Sequence, residues 1–170
     1  VSGVTTNPNP LGGLSANTAY DIYVRQNCGA GNYSAWAGPL NITTTQIAAT
    51  LPFNEGFETW PNNWSVVNGT QVNQWAVGTA TSNTGVQSAY VSNDGGTTNA
   101  YTLTATSVVH LYRDITFSGG SAGYTLKFNW KGIGETVAYD KMRVYLVNTS
   151  VLPVAGTLLS TGQVGLTNYN

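Results

Sequence analysis

Apolar and polar residues alternate along this chain with a period of two, and no stretch longer than a turn sets apolar residues at helical spacing. Such alternation marks strands buried on one face. Over 20–25, Tyr20, Ile22 and Val24 fall on one side and Asp21, Tyr23 and Arg25 on the other. Over 124–130 the same rule sets Tyr124, Leu126, Phe128 and Trp130 against Thr125, Lys127 and Asn129. A third run sets Met142, Val144 and Leu146 against Lys141, Arg143 and Tyr145. Turn-forming clusters separate the runs: Asn7-Pro8-Asn9-Pro10, Leu11-Gly12-Gly13, Asn93-Asp94-Gly95-Gly96 and Ser118-Gly119-Gly120. These residues supply a fixed or positive φ where strands reverse. The pattern predicts an all-β chain built as antiparallel sandwiches.

A break falls near residues 46–52. The strand-like run 40–45 ends in Gln46-Ile47-Ala48-Ala49-Thr50, which has neither alternation nor glycine, and Leu51-Pro52-Phe53 then opens a stretch richer in tryptophan. The expected division is a first domain over 1–46, a linker over 47–51 and a second domain over 52–170.

Composition removes several classes of function. Only six basic and seven acidic residues occur among 170, for a net charge of −1. Without a basic cluster the chain has no phosphate-neutralising surface for nucleic acid, and no basic amphipathic stretch suggests a membrane surface. No apolar run approaches the roughly 18 residues of a spanning helix, and no charged segment followed by an apolar run marks a signal peptide. The hydrophobic content of 41% is ample for packed cores, the opposite of the disordered signature. One cysteine, Cys28, forbids an internal disulfide, and one histidine, His110, forbids a zinc site that needs two imidazoles or a cysteine pair. A surface of neutral hydroxyls and amides with few tryptic positions points to an extracellular setting.

Residues 1–46 resemble the second half of a fibronectin type III domain. The resemblance lies in Leu14-Ser15-Ala16-Asn17-Thr18-Ala19-Tyr20, then Ile22-Tyr23-Val24-Arg25, Ser34-Ala35-Trp36-Ala37-Gly38-Pro39 and the closing Ile42-Thr43-Thr44-Thr45. A tyrosine placed like Tyr20 forms the tyrosine corner of such sandwiches, with its hydroxyl on backbone a few residues upstream. That fold takes about seven strands and about 100 residues, whereas this segment offers three, so the domain is expected to be cut short. Three strands expose an apolar face and a raw edge, which the absent half, a neighbouring domain or another chain would cover. The resemblance implies a partner for Cys28 in the absent half; a lone, half-buried thiol is the other reading.

From Leu51 onward the sequence resembles the jelly-roll domains called choice-of-anchor J, relatives of the cleaved adhesin domain and more distantly of MAM domains. The residues concerned are Pro52-Phe53-Asn54-Glu55-Gly56-Phe57-Glu58, Pro61-Asn62-Asn63-Trp64, Gln74-Trp75 and Ala89-Tyr90-Val91-Ser92-Asn93-Asp94-Gly95-Gly96. They continue through Leu111-Tyr112-Arg113-Asp114-Ile115-Thr116-Phe117, Leu126-Lys127-Phe128-Asn129-Trp130-Lys131, Gly134-Glu135 and Tyr139-Asp140-Lys141-Met142-Arg143-Val144-Tyr145-Leu146. The resemblance implies a secreted or cell-surface bacterial protein of the Bacteroidota type, exported by type IX secretion, with further strands beyond Asn170.

Candidate chemistry is sparse. Hard oxygen ligands gathered from loops at one end of a sandwich suit calcium, and related jelly rolls often hold structural Ca²⁺, so Glu58, Asp94, Glu135 and Asp140 are the candidate metal ligands. Their other reading is as turn and strand-end residues, because the spacing is unlike the D-x-[DN]-x-[DN]-G calcium loop. No nucleophile elbow, H-E-x-x-H helix or P-loop is present, and His110, within Val108-Val109-His110-Leu111-Tyr112, reads as a hydrogen-bonded strand histidine. No catalytic residue is assigned. Of five tryptophans, Trp60 beside Pro61 is the candidate for an exposed ligand platform, while most of the others are expected to pack inside. The expected function is a non-catalytic adhesion or interaction module touching a glycan or other cell-surface ligand. The alternative is a carbohydrate-binding or ancillary module of a secreted hydrolase or peptidase.

Overall fold

A computed structural model describes residues 3–120, 123–132, 134–135 and 139–168 of the chain. Among these residues there is no helix, and twelve strands pair into six two-stranded ladders, five antiparallel and one parallel. The all-β expectation holds. The chain separates into two compact units, Val1–Ile47 and Ala48–Asn170.

In the first unit β1 (Ala19–Val24) pairs antiparallel with β4 (Ala37–Thr43), and β2 (Asn27–Gly29) forms a small hairpin with β3 (Asn32–Tyr33). The register Tyr20↔Ile42 and Ile22↔Leu40 collects the apolar alternates of both strands on one face. Tyr20, Ile22 and Ile42 are half-buried there, while Val24 and Leu40 stay exposed. The Ser15 N–H donates to the Tyr20 hydroxyl over 2.9 Å, five residues upstream. On the polar side the Asn41 amide donates to Asp21, and the Arg25 guanidinium lies 3.9 Å from the Tyr33 ring centre and 4.6 Å from that of Trp36, a double cation–π contact. Cys28 is exposed on β2, so the half-buried thiol reading does not apply.

In the second unit the pairings are nested. β7 (Gln74–Gly78) and β8 (Ser88–Ser92) are joined by a loop, and β6 (Ser65–Val67) outside them pairs with β9 (His110–Tyr112). Outside these again, β5 (Ala49–Thr50) pairs with β10 (Ile115–Thr116), this time in parallel, through the Ala49 N–H and the Asp114 carbonyl at 2.9 Å. Ala49 and Thr50, which lack any sequence alternation and fall in the expected linker, are therefore a strand of the second unit, and Ala49 is one of its buried apolar residues. β11 (Lys141–Tyr145) and β12 (Gln163–Asn168) complete the ladders.

The predicted strand over 124–130 does not form a ladder. Tyr124, Leu126, Phe128 and Trp130 are exposed, so the alternation there is not matched by a paired edge. Packing elsewhere is also shallow: among the described residues only Ala49, Tyr90, Asn73 and Ser92 are buried. The expectation that most tryptophans pack inside is not met either. Trp36 and Trp130 are exposed, and Trp60, Trp64 and Trp75 are half-buried.

Side-chain amides replace much of the missing ladder bonding. Asn73 donates to the carbonyls of Thr102 and Ala105 and accepts the Thr102 N–H at 2.7 Å, tying down a segment with no regular structure of its own. Asn68 does the same for Trp75, donating to its carbonyl and accepting its N–H, both at 2.9 Å. An amide carries one donor group and one acceptor, like a peptide unit, so it can stand in for a strand neighbour.

Candidate functional site

The loop after β8 is locked by its own polar residues. Buried Ser92 donates to Asp94 Oδ1 at 2.7 Å and accepts the N–H of Gly96 at 2.9 Å. Asp94 also accepts the Thr98 N–H at 3.0 Å and the Thr98 hydroxyl at 2.8 Å. Those bonds, the Thr98 N–H foremost, then the hydroxyls of Ser92 and Thr98, lower the Asp94 pKa from 3.8 to about 2. The loop then folds back on the β7–β8 pair, where the Tyr90 hydroxyl donates to the Gly96 carbonyl at 2.6 Å. Close approach fixes the glycines: a Cβ on Gly78 would lie 2.5 Å from the Tyr90 hydroxyl, and one on Gly96, at φ +93°, 3.0 Å from the Ala76 Cβ.

Beside this loop lies an open recess of about 220 Å³ lined by Trp60, Val66, Trp75, Val77 and the backbone of Gly95-Gly96, with Gln74 and Ser92 as its side-chain amide and hydroxyl. Trp60, the sequence candidate, is half-buried in this wall rather than standing out as a platform. The amide and the hydroxyl are engaged within the chain, since the Gln74 amide N–H donates to the Gln71 carbonyl and Ser92 serves the loop.

Two glutamates organise a second recess. Glu55 accepts the Phe57 N–H at 2.7 Å, the Asn62 amide at 3.2 Å and the Trp64 indole N–H at 3.1 Å. It thereby holds Phe57 at φ +60°, a left-handed conformation that costs a bulky residue roughly 1–2 kcal/mol. Glu58 accepts the N–H groups of Val86 and Gln87 at 3.1 and 3.2 Å, clamping the loop between β7 and β8. Gly85, at φ +73°, leaves the space that this carboxylate fills, because a Cβ there would meet Glu58 Oε1 at 2.1 Å. Between the clamps opens a recess of about 280 Å³ whose walls include Phe57, Asn83, Thr84, Gln87, Lys127, Phe128 and Asn129.

The four candidate metal ligands do not come together. Glu58 and Asp94 serve separate loops, as described. Asp140 accepts the Tyr101 hydroxyl at 2.7 Å and the Glu135 N–H at 2.8 Å, so only Glu135 and Asp140 of the four are joined. Burial and then the Asp140 carboxylate raise the Tyr101 pKa from 10.0 to about 12. Among the described residues no three His, Cys, Asp or Glu side chains converge. This donor set falls short of the six to eight oxygens that calcium takes, and each of Glu58, Asp94 and Asp140 already accepts donors from the chain itself.

His110 Nε2 lies 3.1 Å from the Val154 carbonyl and 3.0 Å from that of Thr157. Both partners only accept, so this nitrogen carries the proton and pins the segment 154–157 against β9. Sequence reasoning missed Glu55, Asn68 and Asn73. The signal for Glu55 was its place two residues before Phe57 in the turn Glu55-Gly56-Phe57; nothing local marks Asn73, whose partners are 29 and 32 residues away. No helix of the described residues is long and apolar enough to cross a membrane. Set against family models, curated proteins and solved structures, the chain matches none of them.

Proposed function

We propose that this chain is a non-catalytic adhesion or interaction module of a larger secreted or cell-surface bacterial protein, a fibronectin type III-like segment followed by a jelly-roll-like domain. The observation that carries this reading is the use made of the carboxylates: Glu55, Glu58, Asp94 and Asp140 all accept hydrogen bonds that fix loops. A general acid or base must present its carboxyl to a substrate proton, and these present theirs to the chain. Two features support the fold assignment. The Tyr20 hydroxyl reaches the backbone five residues upstream, as a tyrosine corner does. The nesting of β7–β8 inside β6–β9 is what a long hairpin gives when it rolls up, as in jelly rolls.

A second reading, a carbohydrate-binding module, is favoured by the two recesses, whose walls combine aromatic with amide and hydroxyl side chains. Assays of the purified chain on panels of glycoside and peptide substrates, run beside a glycan array and binding to intact cells, test both. Binding without turnover is expected; sustained turnover removed by Glu55→Gln or Asp140→Asn would overturn the non-catalytic reading.

A further inference from the structure

The two recesses differ in what their polar groups have left to offer. At the Trp60 recess the Gln74 amide N–H and Ser92 are already bonded within the chain. At the Glu55–Glu58 recess the opposite holds. The side chains of Asn83, Thr84, Gln87, Lys127 and Asn129 line it, and none of them bonds another described residue. Phe128, 48% exposed, adds an apolar surface to the same wall.

From this arrangement we infer that the recess between Glu55, Gln87 and Asn129 is a binding site for a neutral sugar ring, an assignment that rests on the carbohydrate-binding reading. Sugar hydroxyls are donors and acceptors at once, and so are primary amides; three amides converging on one recess match a hydroxylated ring better than an ion. The charges lining the wall are one lysine and one glutamate, so the recess carries no net charge that would select a strongly charged ligand. Phe128 and Phe57 supply the apolar surface against which the C–H face of a ring can lie. The volume, about 280 Å³, is at the small end for ligand pockets, the size of one ring rather than of a folded peptide. On one side the walls are set before binding, because the Glu58 clamp on Val86 and Gln87 and the Glu55 clamp on Phe57 already hold them.

The test is calorimetric titration of the full chain with neutral oligosaccharides of glucose, galactose, mannose and xylose, beside uronate-containing ones and an acidic peptide. Losing two ligand hydrogen bonds in Gln87→Ala/Asn129→Ala is expected to weaken the neutral sugar about ten-fold, with Trp60→Ala changing it by less than about two-fold. Asn129 is exposed and Gln87 half-buried, and an unchanged melting curve of the double variant establishes that its fold is retained. If neutral sugars bind and only Trp60→Ala abolishes it, the carbohydrate reading stands and this site is wrong. If no neutral sugar binds, the carbohydrate reading falls with it. Binding confined to the uronates or the acidic peptide and lost in Lys127→Ala would overturn the proposal in favour of a charge-driven site.

Discussion

At the scale of single residues the chain uses its few charges as loop fasteners. Asp94 is the clearest case, because three donors surround its carboxylate and depress its pKa from 3.8 to about 2. A depressed carboxylate pKa contributes stability that is present above the unfolded value and lost as pH falls through the folded one. The advantage of the native chain over Asp94→Asn is therefore expected to be full above about pH 4 and to fade toward pH 2. Melting temperatures of the two proteins across that range check it; a difference independent of pH would show that the carboxylate is not what holds the loop. Sequence reasoning found Asp94 because Asp-Gly-Gly is a turn signal. It offered a metal as the other reading because local sequence cannot say whether a carboxylate's acceptors will be filled by neighbours or by an ion.

Among elements, agreement with the sequence follows the number of local constraints. The strand over 20–25 was legible because alternation, the bounding turn and the partner β4 lie within one short segment. Over 124–130 the alternation is just as regular, yet no ladder forms, because alternation states which side a strand would bury and not whether a partner edge reaches it. The converse error is Ala49-Thr50, two residues with no pattern that become a strand because Ile115–Thr116 arrives alongside. Irregular segments, for their part, depend on distant amides. Asn73→Ala would leave the Thr102 N–H and two carbonyls without their partner, a loss expected to cost about 2 kcal/mol. Urea denaturation should show a lower midpoint at unchanged slope, together with faster amide exchange over 99–107; stability within about 0.5 kcal/mol of the native chain would refute the role.

For the molecule as a whole, separate carboxylate clamps have a plain consequence for metal dependence. With Glu58, Asp94 and Asp140 each already accepting donors from the chain, a chelator is expected to shift the melting temperature by less than about 1 °C. A drop of several degrees, restored by Ca²⁺, would instead place calcium at the joined pair Glu135–Asp140. The two units are each thinly packed, with large apolar side chains such as Val24, Leu40, Leu126 and Trp130 at the surface.

Local patterning along the chain sets the class of structure. Period-two alternation, abundant glycine and asparagine turns and scarce charge leave a strand-built, nearly neutral chain as the answer, because these properties act over a few neighbouring residues. Which strands would pair, where Glu58 and Asp94 would spend their oxygens, and that Gln87, Lys127 and Asn129 would face one recess were decided only by the tertiary structure. Those outcomes join residues as far apart in the chain as Ala49 and Ile115, and a bond between distant groups depends on the closure of the chain between them, which no local pattern encodes.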